Sequence, residues 1–379
     1  MNAMTRTGTW TFAAIAGALA AACVAPLTPD AAQSVGPLPE VVPHPDDNPT
    51  SAEKVALGRM LFWDPILSGE RDVACATCHH PDFAYADGRA RSIGVAGNGL
   101  GPARFASTTT PHVAARNAMT VLDTAWNGLN VRGEVPGPAD APMFWDNRAL
   151  ALEGQASGPI HNLDEMRGSQ FDEEQIGPEI VRRLTETSEY VAMFEAAFGS
   201  PAVTELAILR AIAAFERTLV ARGSSFDRYI LGDETAMSFA QQRGLVELVG
   251  RGCTQCHSGP MFSDFRLHML QPGSGPHGGH GGSSTAGGLM RTASLRNVTR
   301  TAPYFQDGSL ATLDDVFNFY MHVDRDADPD LAGIDPPMPI DPGARSDLEA
   351  FFGAISDAPY DRTIPDRVPS GLHPGGTIP

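Results

Sequence analysis

The stretch Cys75-Ala76-Thr77-Cys78-His79 has a counterpart of the same form in the second half of the chain, Cys253-Thr254-Gln255-Cys256-His257. In this C-x-x-C-H pattern the two thiols attach to the vinyl groups of a haem, and the histidine that follows binds its iron. The two copies use four of the five cysteines. The pattern therefore predicts two covalently bound c-type haems. The predicted attachment residues are Cys75, Cys78, Cys253 and Cys256, and the predicted iron ligands are His79 and His257.

A zinc site and a pair of disulfides are the other common uses of such residues. Zinc ribbons place their Cys pairs much closer together than these two motifs lie in the chain. Disulfides would leave the two identically placed histidines without a role. His277 and His280 stand in a Gly/Ser/His-rich segment, which is more typical of a surface loop than of a metal site. Two haems explain the pattern best.

Length and composition are consistent with a haem protein of several domains. The chain has 379 residues, which suggests two or three domains, and 42% hydrophobic residues, enough for ordinary cores. Its 39 glycines and 31 prolines predict long loops and many turns. A formal net charge of −18 argues against nucleic acid as a partner, because phosphates would be repelled. The same charge permits attraction of a basic redox partner.

The N-terminus has the form of an export signal. Arg6 precedes the apolar run Trp10–Ala22, which is too short to remain as a membrane anchor. Residues 1–23 are therefore predicted to be a signal peptide, and residues 24–49, rich in Pro, Ala and Asp, a flexible tether. Cys23 directly follows the apolar run in a loose match to a lipoprotein box, so it is either lipidated or removed with the leader. We expect a periplasmic protein, since bacteria attach c-type haem outside the cytoplasm. If Cys23 is lipidated, the lipid would be its one membrane contact.

Helix signals occur before and after both motifs. Thr50-Ser51-Ala52-Glu53 is a capping pattern ahead of the first motif, and residues 238–249 have helical periodicity ahead of the second. No stretch has the pattern of a substantial sheet. Further predicted helices cover residues 178–198, a segment that starts at Ser200 and Pro201, residues 312–320 and residues 346–355.

The expected fold is all-α, with two cytochrome c-like haem domains in tandem and long loops. The break at Gly223-Ser224-Ser225 separates an N-terminal domain, residues 50–223, from a C-terminal domain, residues 224–358. Residues 359–379 lack periodicity and form a tail that is either disordered or draped over the surface.

Reaction of a haem with peroxide needs a proton shuttle, a group that takes a proton from one oxygen and delivers it to the other. Charged and aromatic residues are dense in the segment Met143–Met166, where Glu165 and Gln155 are the candidates. By residue type alone, each is more often a plain surface residue.

Two further motifs are Phe144-Trp145-Asp146-Asn147-Arg148-Ala149 and Thr301-Ala302-Pro303-Tyr304-Phe305. In these positions relative to the haem motifs, they make the chain similar to the bacterial dihaem cytochrome c peroxidase and MauG superfamily. The resemblance covers roughly residues 50–358. It implies that the N-terminal haem is peroxidatic, reacting with hydrogen peroxide, and that the C-terminal haem transfers electrons.

The resemblance also implies roles for four residues near the haems. Trp145 would lie between the haems and help electrons to pass. Gln155 corresponds to the distal glutamine of the family, and Pro159 to a proline of the same pocket. Glu165 corresponds to the distal glutamate, the acid and base of oxygen–oxygen bond cleavage.

A calcium ion commonly lies between the haem domains of this family. By position its ligands here would include the side chain of Asn117 and the carbonyl oxygens of Thr301 and Pro303. Oxygen ligands of this kind suit calcium.

The chain departs from the family pattern at the first haem. Typical dihaem peroxidases have a histidine at the position of Val95, which covers the peroxidatic iron until the second haem is reduced. Valine cannot bind iron. His80 and His112 are the alternatives, but His80 is too near the attachment motif to reach across. We therefore expect an iron that is open at rest.

A second departure concerns the C-terminal haem, for which typical peroxidases place a methionine ligand on the helix after the Thr301–Phe305 motif. The corresponding position is Tyr320, and tyrosine is the MauG pattern. Tyrosinate is a hard anionic donor that stabilises ferric iron, whereas methionine favours the reduced state. Met321 and His322 point roughly 100° and 200° further round the helix and would bind the iron only in a shifted register.

These features predict a MauG-like dihaem peroxidase that reacts with hydrogen peroxide and needs no reductive activation. Its oxidising equivalents would act on a residue of a partner protein, or would remove peroxide with electrons from a small cytochrome c or a cupredoxin. A non-catalytic dihaem electron-transfer cytochrome is the remaining alternative, against which Gln155, Glu165 and Val95 argue.

Overall fold

The computed structural model describes residues 35–109, 111–129, 137–270, 289–322 and 340–379. The predicted signal peptide with Cys23, residues 24–34 of the predicted tether, and the loop with His277 and His280 lie outside the described residues. None of the helices in these ranges combines the length and the apolar character needed to cross a membrane.

Helices form most of the regular structure of the described residues, which confirms the predicted all-α class. The α-helices are α1 (Ala52–Trp63), α2 (Cys75–Cys78), α3 (Ala151–His161), α4 (Glu173–Thr185), α5 (Ser188–Phe198), α6 (Glu205–Glu216), α7 (Ser225–Ile230), α8 (Phe239–Gly250), α9 (Leu313–His322) and α10 (Pro342–Ala354). A π-helix covers Leu163–Arg167. The strands form three short antiparallel pairs, β1 (Gly97–Asn98) with β2 (Phe105–Ala106), β3 (Pro142–Met143) with β4 (Ala149–Leu150), and β5 (Leu267–His268) with β6 (Met290–Arg291).

The two halves of the chain use the same close contact between two helices. In the first half, α1 crosses α6 so closely that a Cβ atom at Gly58 would lie 1.9 Å from the carbonyl oxygen of Ala211. In the second half, a Cβ atom at Gly244 of α8 would lie 1.9 Å from the carbonyl oxygen of Asp347 on α10. Only glycine permits such an approach of two backbones. The pairs α1–α6 and α8–α10 are therefore equivalent units of a tandem repeat.

Each helix pair is the centre of its own apolar core. Leu57 of α1 and Ile212 of α6 are buried together in the first core, and Leu248 of α8 and Phe351 of α10 in the second. Full burial of a side chain of this size contributes about 1.5–3 kcal/mol. Because each C-x-x-C-H segment follows α1 or α8 in the chain, each is supported by one of these cores.

Two helix predictions need correction. The helix expected over residues 178–198 is two helices, because Thr187 leaves the helical conformation for an extended one between α4 and α5. Helix α6 does not begin at Ser200 and Pro201 but is capped by Thr204, whose hydroxyl accepts a backbone N–H of the first turn (3.2 Å). The cap predicted at Ser51 is confirmed, since its hydroxyl also accepts a first-turn N–H (3.2 Å).

Residues 35–49 do not form the flexible tether that their composition suggested. Leu38 is buried beside Trp126 of the first half and Met261 of the second half. The side chain of Asn48 is fully buried, and its amide donates to a carbonyl oxygen of α6 (3.0 Å). This segment therefore packs against both halves of the chain.

The tail, residues 359–379, is draped over the first half rather than disordered. The N–H of Gly375 donates to the carbonyl oxygen of Trp63 (2.6 Å), and its own carbonyl accepts the hydroxyl of Thr77 (2.8 Å). Thr77 lies inside the first C-x-x-C-H segment. The end of the chain thus supports that segment, which its lack of periodicity did not indicate.

Candidate active site

The first C-x-x-C-H segment forms the single helical turn α2 and ends in His79. The hydroxyl of Thr77 accepts the N–H of Ala74 (2.9 Å) and so caps this turn. The Nδ1 atom of His79 lies 2.9 Å from the carbonyl oxygen of Tyr85. Because a carbonyl oxygen only accepts, Nδ1 carries the proton, and Nε2 keeps its lone pair for a metal.

The second C-x-x-C-H segment repeats this arrangement. A 3₁₀ turn, Cys253–Gln255, leads to His257, whose Nδ1 lies 3.0 Å from the carbonyl oxygen of Phe262. Burial lowers the pKa of both His79 and His257, so both imidazoles are neutral, the form that binds iron. The cysteines of the two segments are free thiols. Both segments therefore have the donors that a haem needs.

Gln155, Pro159 and Glu165 lie on one continuous segment. Gln155 and Pro159 are about one turn apart on the same face of α3. Since Pro159 has no N–H, the carbonyl of Gln155 lacks its usual partner within the helix. Helix α3 then gives way to the π-helix Leu163–Arg167, which carries Glu165. Turns of the π type are rare and frequently occur at functional sites.

The carboxyl of Glu165 is partly buried and lies near Cys78 of the first C-x-x-C-H segment. The amide of Asn162 donates to its Oε1 (2.9 Å). Burial raises the pKa of Glu165, while Arg148 opposes this shift and Asp164 adds to it. Burial also raises the pKa of the Cys78 thiol to about 12, and the charge of Glu165 contributes to that rise. A carboxyl with a raised pKa at this position is suited both to take and to give a proton.

The loop that carries Val95 packs directly onto the π-helix. Val95 is 1% exposed, and its N–H donates to the carbonyl oxygen of Glu165 (3.0 Å). A Cβ atom at Gly94 would lie 2.1 Å from the carbonyl oxygen of Asp164, so only glycine permits this contact. The buried guanidinium of Arg104 donates to two carbonyl oxygens of the same loop (2.8 and 2.9 Å). Gly94 and Arg104 thus position Glu165, and no sequence pattern had indicated Arg104.

The two histidines considered as substitute ligands of the first haem have other partners. His80 is 3% exposed, packs its ring on Trp63 (5.6 Å between ring centroids), and accepts the N–H of Asp82 at Nδ1 (3.2 Å). His112 donates from Nδ1 to the carboxylate of Asp164 (3.2 Å). In the structure, both rings therefore have hydrogen-bond or packing partners within the protein.

A cavity of about 440 Å³ lies against the second C-x-x-C-H segment. Its wall includes Cys253, Cys256 and His257, together with apolar side chains of α8, α9 and α10. The volume is within the range of about 300–1,000 Å³ that is usual for cofactor sites. An apolar wall with two thiols and one histidine fits a haem.

Three neighbouring residues at the end of α9 have different surroundings. Tyr320 lines the cavity. Met321 packs into the second core, and its Sδ accepts the N–H of Ile340 (3.4 Å). His322 is exposed and donates from Nδ1 to the carbonyl oxygen of Asn318 (2.8 Å). Of these three side chains, Tyr320 is the one that reaches the cavity.

One group of residues near the second segment has the composition of a zinc site. Its ligand atoms lie within 4.8 Å of one another and belong to Cys256, Asp264 and His268. The Nε2 atom of His268 donates to the Asp264 carboxylate (2.8 Å), which raises the pKa of His268 to about 10. In the structure, His268 and Asp264 are thus paired with each other beside the second segment, and Cys256 belongs to the second C-x-x-C-H motif.

Trp145 and Met119 connect the two sites. Trp145 lines the second cavity, and its Nε1 donates to the carbonyl oxygen of Asn117 (3.0 Å). Met119 lines the same cavity, and its backbone lies near enough to His79 of the first site to act on the pKa of that histidine. The Met119 segment thus lies between the first histidine and the second cavity.

Asn117, Thr301 and Pro303, the residues predicted to bind calcium, all line the second cavity. The side-chain amide of Asn117 donates to the carbonyl oxygen of Arg89 (2.7 Å). This bond uses the amide nitrogen and not the side-chain oxygen.

Two C-x-x-C-H segments, each supported by an equivalent helix pair, define a protein with two haem sites. A family model described as di-haem cytochrome c peroxidase matches residues 52–235. The chain is 35% identical over 334 residues to the methylamine utilization protein MauG of Methylorubrum extorquens, covering 86% of this chain and 85% of that relative. It is 33% identical over 361 residues to the cytochrome-c peroxidase IdrP1 of Denitromonas iodatirespirans, covering 85% and 86%. A solved structure of a MauG-like protein associated with microbial copper homeostasis is 29% identical, with a TM-score of 0.67, and covers 84% of this chain and 94% of that one.

The chain therefore belongs to the di-haem cytochrome c peroxidase family, as its motifs indicated. Membership implies an oxidoreductase with two haems. The relatives include both MauG proteins and cytochrome c peroxidases, so membership leaves the choice between these two roles to the residues of this chain.

Proposed function

We propose that the protein is a MauG-like peroxidase in which hydrogen peroxide reacts at the first site and oxidising equivalents leave through the second. The observation that carries this proposal is the pair of departures from the typical peroxidase. Tyr320 reaches the second cavity while Met321 is turned into the core. Val95 stands where a histidine would cover the first iron, and it is buried under the π-helix.

Both haems are covalently attached in this proposal, through the thiols of the two C-x-x-C-H segments. The neutral Nε2 atoms of His79 and His257 bind the irons, since the Nδ1 atoms are occupied by carbonyl oxygens. The phenol oxygen of Tyr320, which lines the same cavity, would be a further ligand of the second haem. An anionic oxygen donor stabilises the oxidised metal, which suits a site that stores oxidising equivalents.

Glu165 is the proton shuttle of the first site. A haem held by the first C-x-x-C-H segment would supply the redox chemistry that breaks the oxygen–oxygen bond of peroxide. Glu165 takes the proton from one peroxide oxygen and returns it to the other, and its raised pKa favours both steps. The amide of Asn162 holds the carboxyl in place (2.9 Å). Gln155 and Pro159 complete this side of the pocket from the facing turn of α3.

Electrons cross between the sites through Trp145, which lines the second cavity and is fixed by its bond to Asn117. A calcium ion on Asn117, Thr301 and Pro303 would neutralise negative charge along this route. We place the protein in the periplasm, where c-type haem and its donor proteins are found. Its oxidising equivalents act there on a partner protein, with a lipid on Cys23 as an additional proposal.

The second candidate is a typical cytochrome c peroxidase, which removes peroxide with electrons from a small cytochrome c or a cupredoxin. Relatives such as IdrP1 carry the name of this activity. It requires that a ligand cover the first iron until the second haem is reduced. His112, beside Asp164 at the edge of the π-helix, is the residue of this chain that such a mechanism would need to move.

One equivalent of hydrogen peroxide added to purified ferric protein, without any reductant, tests the choice. Visible, near-infrared and EPR spectra follow the reaction. We expect fast loss of the ferric EPR signals and a new near-infrared band. If nothing happens until the protein is half-reduced, the MauG-like proposal is wrong and the second candidate holds.

A further inference from the structure

The guanidinium group of Arg291 is buried in the wall of the second cavity. Arg291 belongs to β6 and is 6% exposed. One of its terminal nitrogens donates to the carbonyl oxygen of Pro142 (2.6 Å), and the other approaches the sulfur of Met119 (3.4 Å). Its Nε is inaccessible to solvent and has no hydrogen-bond partner. The side chain therefore has unused donor capacity inside the protein.

Arg291 also lacks an acidic partner among the described residues. Burial lowers its pKa to about 10, and no neighbouring charge contributes to that shift. The other buried cations nearby are balanced: Arg296 forms a two-pronged ion pair with Asp227 (2.8 and 3.1 Å), and His268 is paired with Asp264. A buried charge without a counter-ion costs several kcal/mol. An anion bound in the cavity would therefore compensate the charge of Arg291.

The second haem of the proposed function would bring that anion. Haem carries two propionate carboxylates, and the flat fork of a guanidinium matches a carboxylate with two parallel hydrogen bonds. We propose that Arg291 forms an ion pair with a propionate of the second haem, an inference that rests on the proposed function. The terminal nitrogen now directed at the weakly accepting sulfur of Met119, a residue of the cavity wall, is the donor of this pair.

The same residue then fixes the position of Trp145. The backbone N–H of Arg291 donates to the carbonyl oxygen of Trp145 (2.6 Å). Its ring contact with Phe265, 5.6 Å from the guanidinium carbon to the ring centroid, holds the side chain from the other side. Arg291 is thus a positioning residue that joins the edge of the second haem to the route between the sites.

The proposal predicts a change in the redox equilibrium of one haem. Without the cation, the propionate charge is uncompensated and favours ferric iron. Arg291→Gln is therefore expected to shift the ferric/ferrous equilibrium of the second haem at least tenfold toward ferric, which is about 59 mV for one electron. The first haem should keep its potential. Spectroelectrochemical titration of the purified two-haem protein measures both potentials.

Resonance Raman spectra of the same samples identify the anion directly. The propionate bending band of the second haem should move in Arg291→Gln and stay in place in Arg243→Gln. Arg243 is a matched control, since it is an exposed arginine of the same half, paired with Asp347. An unmoved propionate band, or a shift confined to the first haem, overturns the proposal. If Arg291→Gln loses the second haem, Arg291→Lys decides by the same band, since lysine keeps the charge but not the fork.

The proposed function and this inference fail in different ways. A wild-type protein that binds no second haem would remove the proposed function. If the wild-type protein binds two haems but Arg291→Gln changes neither the potential nor the propionate band of the second haem, only the inference is refuted.

Discussion

Tyr320 and Met321 are neighbours on α9 but face opposite environments: the phenol lines the second cavity, and the thioether accepts the N–H of Ile340 (3.4 Å) in the second core. A methionine and a tyrosine are the two ligands that separate the typical peroxidase from the MauG type. The chain contains both residues next to each other, and the rotation of α9 about its axis decides which of them faces the cavity.

Tyr320→Met should raise the reduction potential of the second haem. A neutral thioether stabilises reduced iron relative to an anionic phenolate, so the ferrous form is favoured at least tenfold, about 59 mV. A redox titration of the two-haem protein measures the shift. Met321→Leu is the matched control and should leave the potential and the ferric EPR spectrum unchanged. A larger change in Met321→Leu than in Tyr320→Met would show that the register of α9 is different.

Glu165→Gln should slow peroxide-dependent turnover about 10²- to 10⁴-fold, the usual contribution of a proton shuttle. Glutamine keeps the size of the side chain but cannot exchange protons. Steady-state peroxidase assays with an artificial reductant give the rate, and haem absorbance shows that the sites remain loaded.

Asp164→Asn is the control for Glu165. Asp164 raises the pKa of Glu165 through its negative charge, so its removal should lower that pKa and displace the acid limb of the pH–rate profile downward. Turnover at the optimum should stay within a few-fold of wild type. Equal losses in both variants would mean that general damage to the π-helix, and not proton transfer, explains the effect.

His112→Ala should leave the reaction of ferric protein with peroxide intact. His112 is bound to Asp164 (3.2 Å), and the first iron is proposed to have no histidine on its open side. Stopped-flow mixing with peroxide measures the rate. A histidine that covers the iron would instead make the variant react much faster than the wild type, together with a change from low-spin to high-spin EPR.

Trp145→Phe should slow communication between the two haems by an order of magnitude or more while preserving the cavity wall. Phenylalanine retains an aromatic ring but loses the donor bond to Asn117 and is harder to oxidise. Rapid-mixing spectra after peroxide addition separate the changes at the two haems in time. Simultaneous changes at both haems, at the wild-type rate, would assign the route to another element, of which the Met119 segment is the candidate.

Glu216→Gln should flatten the pH dependence of stability. Glu216 at the end of α6 is 4% exposed and has an oxygen without a partner, and burial raises its pKa from 4.5 to about 8. The folded state therefore keeps a proton that the unfolded state loses above pH 4.5. The free energy of unfolding falls as the pH rises through this window, by roughly 3 kcal/mol between pH 4.5 and 7.

Denaturant unfolding of the two-haem protein at pH 5 and pH 8 measures this effect. The difference between the two pH values should shrink in Glu216→Gln and persist in Glu195→Gln, which removes an exposed carboxyl from α5. The same pH dependence in both variants would contradict the prediction.

Much of the fold and of the candidate sites could be predicted from local spacing in the sequence. The order of helices around the two motifs, the cap at Ser51 and the all-α class follow from patterns within a few residues. The predicted boundaries of helices and segments were wrong where tertiary contacts overrode such local patterns. The helix expected over residues 178–198 is interrupted at Thr187. Residues 35–49 pack against the rest of the protein because Leu38 is buried beside Trp126 and Met261.

The sequence by itself determined the chemistry that depends on residue type and short spacing: two thiol pairs each followed by a histidine, the absence of a histidine at position 95, and the presence of Tyr320. Only the tertiary structure decided which side of α9 faces the cavity, and that the carboxyls of Asp87 and Glu165 lie near Cys78. It also showed that Glu216 and Arg291 are buried, each with one side-chain polar atom that has no hydrogen-bond partner. The physical reason is that bonding patterns are local, whereas burial and charge compensation depend on residues that meet from distant parts of the chain.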